Sequence, residues 1–181
     1  MAGTMTIGAT NGSAQHAGET RSTGRAGTRI NGLDELVGAH PDALRSLFAA
    51  GQTTDPRDLG DQPRGRMLGV EQARDVSGLA RPILRAIAGP LPWRGKVFHA
   101  DGSGANVVLG RNVGVFRYEN GTSDVDGAEA LVLRYDGQPW PLRALHDELR
   151  TVADGVAIGP IVLDAGGARR VIGWFGLERA R

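Results

Sequence analysis

The strongest constraint on the fold is a series of short β-rich runs that starts near Trp93 and continues toward the end of the chain. Glycine-containing turn pairs such as Asp101-Gly102 and Asn120-Gly121 separate these runs. Such pairs favour tight connections between antiparallel strands. Together they indicate a curved antiparallel sheet or a small β-barrel. Strands are predicted over Arg94–His99, Asn106–Leu109, Val113–Glu119, Ala130–Asp136, Val156–Leu163 and Arg170–Glu178.

Helical periodicity is found before and within this series. A first helix is predicted from about Leu33, broken at Pro41, with His40 kept extended by the proline that follows it. A second is predicted over Glu71–Ala88, and the segment between them, from Thr53 to Gly69, is expected to be a loop.

A third helix is predicted from Pro141, because leucines recur there at helical spacing. Its apolar stripe would be Leu142, Leu145, Leu149 and Val152, and its polar face Arg143, His146, Asp147 and Arg150. The expected class is therefore α+β and mainly β, with two N-terminal helices and one helix before the last two strands.

The length of 181 residues suits one domain preceded by a tail. Residues 1–30 are mostly Gly, Thr, Ser and Ala, so too little apolar surface is available to offset the entropy of ordering them. The expected division is a disordered arm over residues 1–30 and one helix-plus-barrel domain over residues 31–181.

Composition excludes several classes of function. There is no cysteine, hence no disulfide, thiolate metal site or cysteine nucleophile. The 21 basic and 20 acidic residues nearly cancel, which argues against nucleic acid or an anionic membrane as partner. No secretory signal or membrane span is recognised, so the cytoplasm is the expected location. Lys96 is the only lysine, a skew toward arginine that is typical of GC-rich bacterial coding.

Three segments carry a family resemblance: Asp61–Leu68, Trp93–Phe98 and Ala130–Arg179. The second is similar to a Trp-Tyr-Gly-Lys-Arg-Phe element, and the third ends in Phe-x-Leu-Glu-Arg. Together they resemble the GXWXG/DUF4334 group of bacterial and plant proteins. In the first segment Gly65 matches the closing glycine of the Gly-x-Trp-x-Gly element, whereas Asp61 and Pro63 replace its first glycine and its tryptophan.

This resemblance implies a calycin-like small β-barrel that holds an apolar molecule inside. The resemblance implies no particular reaction, because the group has no established catalytic residues to assign to positions of this chain.

Aromatic residues are the candidates for lining such a cavity, because side chains of one parity share the concave face of a curled sheet. A few polar groups among them would orient a ligand. Plain core packing is the alternative for each aromatic residue. The candidate ligand-binding residues are Trp93, Arg94, Phe116, Arg117, Arg134, Trp140 and Trp174.

The candidate catalytic residues are Tyr135, Asp136, His99 and Tyr118. An Asp with a pKa raised by apolar walls could move a proton, and a Tyr could polarise a carbonyl. His99 could act as a base with Asp101 behind it, although Asp101-Gly102 also has the chemistry of an ordinary turn. Asp136 could equally be a solvated residue at the end of a strand.

Metal and cofactor motifs are weak in this sequence. Four histidines, two of them in poorly structured contexts, do not form a zinc ligand pattern. The run Gly102–Asn106 lacks the Lys-Ser/Thr ending of a phosphate-binding loop. Haem binding through His99 or His146 is a minor alternative. No cofactor and no metal is expected.

Two functions from different classes remain open at this point. One is a binding module that holds a small apolar or amphipathic metabolite in a barrel cavity. The other is a cofactor-independent cyclase or isomerase that acts on a polyketide- or terpenoid-like substrate in specialised metabolism by moving one proton. A homodimer is expected if the sheet stays open, since closure would remove the free edges.

Overall fold

A computed structural model describes residues 30–71 and 93–180 of the chain. The predicted arm, apart from Ile30, and the predicted second helix, apart from Glu71, lie outside the described residues. The helices are α1 (Pro41–Ala49) and α2 (Pro56–Leu59). The strands are β1 (Gln52–Thr53), β2 (Arg64–Val70), β3 (Trp93–Phe98), β4 (Ser103–Val108), β5 (Arg111–Thr122), β6 (Glu129–Arg134), β7 (Leu145–Ala153), β8 (Val156–Ala165) and β9 (Ala168–Glu178).

Eight antiparallel strands close into a barrel. Hydrogen bonds connect them in the order β7, β6, β5, β4, β3, β2, β9 and β8, and β8 pairs with β7 to complete the ring. The short β1 adds to β7 at Thr151 and Arg150. The barrel alternative of the sequence analysis is thus confirmed over the open curved sheet.

Alternation along the strands divides the apolar residues into two clusters. The larger fills the barrel, with Phe98, Phe116, Leu133, Leu149, Phe175 and Leu177 among its members. The smaller lies outside the barrel, where Leu44 and Phe48 of α1 cover Leu68 and Trp174. Phe48 and Trp174 meet edge to face with their centroids 5.9 Å apart. Strands of this barrel therefore carry apolar residues on both faces wherever α1 covers them.

The break at Pro41 is where the sequence predicts it, but only the piece that follows it is α-helical, so the predicted helix start near Leu33 is wrong. His40 is extended (φ −62°, ψ 139°), and its side chain accepts a hydrogen bond from the backbone N–H of Asp42 at 3.3 Å. Pro41 occupies the first turn, where its missing N–H leaves no hydrogen bond unmade. A separate 3₁₀ turn, Leu33–Glu35, precedes it.

The prediction of a third helix from Pro141 is wrong. Only Leu142–Ala144 form a 3₁₀ turn, and the residues that follow are strand β7. Leucines at i and i+4 satisfy both a helix and a strand, and here Leu145 and Leu149 pair across the sheet with Leu163 and Leu131. Tertiary pairing on both sides of β7 overrides the helical spacing.

The predicted loop from Thr53 to Gly69 also contains regular structure. It includes α2 and most of β2, whose Gly65 and Arg66 pair with Leu177 and Gly176 of β9. Pro and Gly in this region masked the strand signal. In the described residues, no helix is both long enough and apolar enough to cross a bilayer.

The two ends of the barrel differ. At one end Leu59 of α2 packs with Phe98 and the half-buried Tyr118 and fills the interior. At the other end, where β6 stops and β7 starts, Leu142 of the 3₁₀ turn borders an internal pocket. The candidate site therefore lies at the end away from α2.

Candidate functional site

A β-bulge in β3 brings two key side chains into the barrel. Trp93 pairs with Val108 and Gly95 pairs with Val107, so β3 has one more residue than β4 at this point. Strict alternation would place Trp93 and Lys96 on opposite faces, because they are three positions apart. The extra residue shifts the parity, and both side chains reach the interior.

Lys96 is the centre of a buried polar cluster. Its side chain is 2% exposed, and Nζ donates to Asp147 Oδ2 at 2.7 Å, to Tyr135 OH at 2.8 Å and to Asn106 Oδ1 at 2.8 Å. The hydroxyl of Tyr135 donates in turn to Asp147 Oδ2 at 2.7 Å. We call Lys96, Asn106, Tyr135 and Asp147 the polar cluster.

Aromatic rings surround the ammonium group. Nζ of Lys96 lies 5.0 Å from the ring centroids of Phe116 and Phe175, and within 5.8 Å of those of Tyr135 and Trp93. Ring faces stabilise a cation, but they replace water only in part. Burial therefore lowers the pKa of Lys96, and attraction to Asp147 offsets some of that shift.

Tyr135 is held as a neutral phenol. Burial, and then the nearby negative charge of Asp147, raise its pKa well above the ordinary value of 10.0. Asn106 Nδ2 donates to the phenol oxygen at 3.1 Å, and Asn106 Oδ1 also accepts from Trp93 Nε1 at 3.2 Å. The cluster thus keeps an O–H proton inside the barrel across the physiological pH range.

One oxygen of Asp147 faces the pocket. Both hydrogen bonds to this carboxylate, from Lys96 and Tyr135, end on Oδ2. Among the described residues, no fully buried side-chain nitrogen or oxygen lacks a hydrogen-bond partner. Because Oδ1 has no such bond and Asp147 lines the pocket, Oδ1 is the oxygen left to accept a hydrogen bond from a bound molecule.

The pocket itself has a volume of about 360 Å³. Small-molecule sites in proteins commonly start at about 300 Å³ and combine apolar walls with a few convergent polar groups. The inner wall here is the polar cluster. The remaining lining residues are Gly65, Arg66, Met67, Trp93, Val108, Leu142, Leu145, Ile161 and Phe175.

Comparisons with known proteins support the fold and indicate no activity. No protein-family model and no curated protein matches the chain. A crystal structure of a protein from Thermomonospora curvata is similar, with a TM-score of 0.57 and 18% identity over 82% of this chain and 93% of that chain. The likeness is one of fold. At this level of identity it carries no substrate or reaction.

Two of the predicted site residues, Tyr135 and Trp93, line the pocket. Phe116 is beside them, 1% exposed, with its ring centroid 5.7 Å from that of Tyr135. Tyr118 lies at the filled end of the barrel, where its hydroxyl donates to the backbone carbonyl of His99 at 2.6 Å. Burial raises the pKa of Tyr118 as well.

The other predicted site residues lie away from the pocket. Trp174 is fully buried outside the barrel under α1, and its Nε1 donates to Glu71 at 3.1 Å. Asp101 accepts hydrogen bonds from the backbone N–H and the hydroxyl of Ser103 and so stabilises the turn in which it lies. Arg134 is half-buried in the strand pairing with Arg117 and His146. Arg94, His99, Arg117, Asp136 and Trp140 are exposed.

A second buried polar group lies outside the barrel, on the outward face of β7. His146 Nε2 is 2.9 Å from Asp124 Oδ2 and 3.6 Å from Glu148 Oε1. Among the described residues these three side chains are the set with donor atoms close enough to hold a metal ion. Ser123 and the backbone N–H of Asp124 donate to Glu148, and Arg169 pairs with Asp124 at 2.8 Å, so protein groups already serve both carboxylates.

Sequence reasoning missed Lys96, Asn106 and Asp147. Asp147 was assigned to the polar face of a helix that does not form, and Asn106 is one polar residue in a strand. Lys96 could have been noticed in the sequence. It is the single lysine of a chain whose other 20 Lys/Arg positions are all arginine, and it lies inside a β-rich run. A buried amine can lose its proton, which a guanidinium cannot do in proteins.

Proposed function

We propose that this protein binds a small, mainly apolar molecule in the barrel, with one hydroxyl or carbonyl group of that molecule held by the polar cluster. The observation that carries the proposal is the convergence of Lys96, Tyr135 and Asp147 on the inner wall of a pocket of about 360 Å³ whose other lining residues are mainly apolar. A buried ion pair is often no more stabilising than apolar residues of similar volume, so its presence at a pocket wall supports a binding role.

The charges of the cluster favour a neutral partner group. Lys96 and Asp147 cancel each other at 2.7 Å, so the inner wall carries no net charge. Asp147 Oδ1 can accept a hydrogen bond from a hydroxyl. A carbonyl oxygen can compete for a proton of Tyr135 or Lys96. A carboxylic acid would place a second negative charge next to Asp147 and is disfavoured.

The family resemblance supports the same site. Gly65 and Lys96, which belong to the first two of the segments similar to the GXWXG/DUF4334 group, both line the pocket. Membership of that group and a calycin-type barrel are part of the proposal, as is the cytoplasmic location. The cargo would be a small apolar metabolite.

Binding is tested by isothermal titration calorimetry with geraniol and cinnamyl alcohol, which are apolar alcohols of suitable size. Val108→Phe fills the pocket and should abolish the binding heat. Val115→Phe is the matched control, because Val115 is 53% exposed. Equal binding by both variants would contradict the pocket assignment. Native mass spectrometry of freshly purified protein adds a search for a co-purified molecule.

A second function is favoured by one observation, the O–H of Tyr135 beside the pocket-facing Asp147 Oδ1. A proton donor and a proton acceptor at one end of an apolar cavity can support a cofactor-independent cyclase or isomerase acting on a terpenoid- or polyketide-like substrate. Under this proposal Tyr135→Phe and Asp147→Asn remove turnover and keep binding. Comparison of Asp147→Asn with Asp136→Asn determines which carboxylate acts.

A further inference from the structure

We propose that Lys96 forms an imine with the carbonyl carbon of an apolar aldehyde or ketone bound in the pocket. This inference rests on the proposed binding function and adds a covalent step and a substrate class to it. Three features support it: the position of Lys96 in the pocket wall, the groups around its amine that can move protons, and the charge balance of the reaction.

The position of Lys96 is the first feature. Lys96 lines the inner wall of the pocket, and its amine lies 5.0 Å from the ring centroids of Phe116 and Phe175. An amine desolvated in an apolar site is a better nucleophile than a solvated lysine, because more of it is neutral at a given pH. Burial lowers the pKa of Lys96 and so raises the fraction of its amine that is neutral.

Neighbouring groups can move the protons that imine formation requires. Asp147 Oδ2, 2.7 Å from Nζ, can take a proton from the ammonium group. The neutral amine then adds to the carbonyl carbon, a C–N bond forms, and Tyr135 can protonate the developing oxyanion. Tyr135 regains its proton from the nitrogen of the adduct, to which it is hydrogen-bonded at 2.8 Å before reaction.

Loss of water completes the reaction. Protonated Asp147 gives its proton to the hydroxyl of the carbinolamine, the C–O bond breaks and one water leaves. The nitrogen keeps one proton, so the product is an iminium ion beside the Asp147 carboxylate. No electrons are gained or lost. An ammonium–carboxylate pair becomes an iminium–carboxylate pair, and the charge inside the barrel is unchanged.

This charge balance separates imine formation from other reactions of the cluster. A step that left either Lys96 or Asp147 charged without its partner would incur the desolvation cost of a buried ion. Imine formation keeps a paired cation and anion in the reactant state and in the product. The product also retains the cation between the aromatic rings, where it is stabilised.

The test uses trans-cinnamaldehyde with sodium cyanoborohydride, which converts an imine to a stable amine that intact mass and peptide mapping detect. Arg94→Lys is the matched control, because it adds an exposed lysine on the same strand. Modification at Lys96 should be roughly tenfold or more faster than at the lysine introduced at position 94, because the pocket holds the aldehyde beside the amine. Lys96→Arg should lose the pocket adduct.

Cinnamyl alcohol in calorimetry distinguishes the two proposals. If the alcohol binds and the aldehyde gives no adduct at Lys96, or one no faster than at position 94, the imine is overturned and the binding function stands. If neither compound enters the pocket, the binding function itself has failed. Enhanced trapping that Val108→Phe removes supports both.

Discussion

Lys96 is the residue that most determines the character of the barrel interior. It is 2% exposed, and the groups that accept its hydrogen bonds come from different parts of the chain. Replacement by a neutral residue would leave the Asp147 carboxylate, itself 6% exposed, without a counter-ion. The pair is therefore a local electrostatic unit whose two members depend on each other.

We expect Lys96→Met to lower the free energy of unfolding by about 3 kcal/mol, because it strands a buried carboxylate. The double variant Lys96→Met/Asp147→Leu should recover most of that loss, since no ion remains in the interior. Urea denaturation of the wild type and both variants measures the effect. A single variant as stable as the wild type would show that Asp147 is not charged in the barrel.

Arg150 provides a second ion pair, on the outside of β7. It is 1% exposed, stacks over Phe48 at 4.4 Å and makes two hydrogen bonds to Asp126, at 2.6 and 2.7 Å. The hydrogen bonds from Arg150 hold the pKa of Asp126 below its ordinary value of 3.8. This contact attaches the 123–128 turn to the barrel.

The depressed pKa gives this pair a defined pH dependence. Its stabilisation is complete above pH 3.8, where Asp126 is ionised in both states, and is lost as the pH falls through the lower folded-state pKa. We expect the stability gap between the wild type and Asp126→Asn to be constant near neutral pH and to close in acid. Thermal melts of both proteins across the acid range measure it, and a gap independent of pH would contradict the assignment.

At the scale of elements, β3 depends on its bulge. Gly95 has φ +138°, which L side chains rarely adopt, and a Cβ there would collide with the carbonyl oxygen of Pro63 and lie 2.8 Å from the backbone nitrogen of Gly65. The bulge is also what turns Trp93 and Lys96 to the same side. A change at Gly95 should therefore affect both stability and the pocket.

We expect Gly95→Ala to lower stability by about 2–3 kcal/mol, because strain adds to the steric clash. Gly137→Ala is the matched control: a Cβ there has no atom within 4 Å. It should change stability by no more than about 0.5 kcal/mol. Chemical denaturation gives the stabilities, and binding of cinnamyl alcohol by the folded fraction reports on the pocket. Equal effects of the two substitutions would contradict the role of the bulge.

At the scale of the whole molecule, closure of the barrel removes the free sheet edges of an open sheet. The last pairing, between β7 and β8, extends from Leu145–Leu163 to Ala153–Val156. Exposed strand edges are what most often drives pairing between sheets of different chains. We therefore predict a monomer in place of the homodimer that an open sheet would favour.

Sedimentation velocity over a range of protein concentrations tests this prediction. A single species near the monomer mass of 19.0 kDa is expected at every concentration. A concentration-dependent shift toward twice that mass would contradict it and would direct attention to the outer face of β5, where Val113 and Val115 are exposed.

Six of the strands, β3 to β6, β8 and β9, and their antiparallel pairing were predicted from the sequence, because turn pairs and alternation are local signals, whereas β2 and β7 were not. The predicted Arg94–His99 and Arg170–Glu178 correspond to β3 and β9 within two residues at either end. The restriction of His40 by Pro41 is equally local. Tyr135 and Trp93 could be chosen as site candidates on the same ground, since aromatic residues in strands are few.

The polar cluster was decided by the tertiary structure. Lys96 faces inward only because of a bulge, Asp147 only because β7 pairs on both sides as a strand, and Asn106 only because β4 lies beside β3. None of these conditions leaves a periodic pattern in the sequence, because each depends on partners far away along the chain. Side chains that are separate in sequence meet inside a barrel when its strands close, and that meeting is what creates the site.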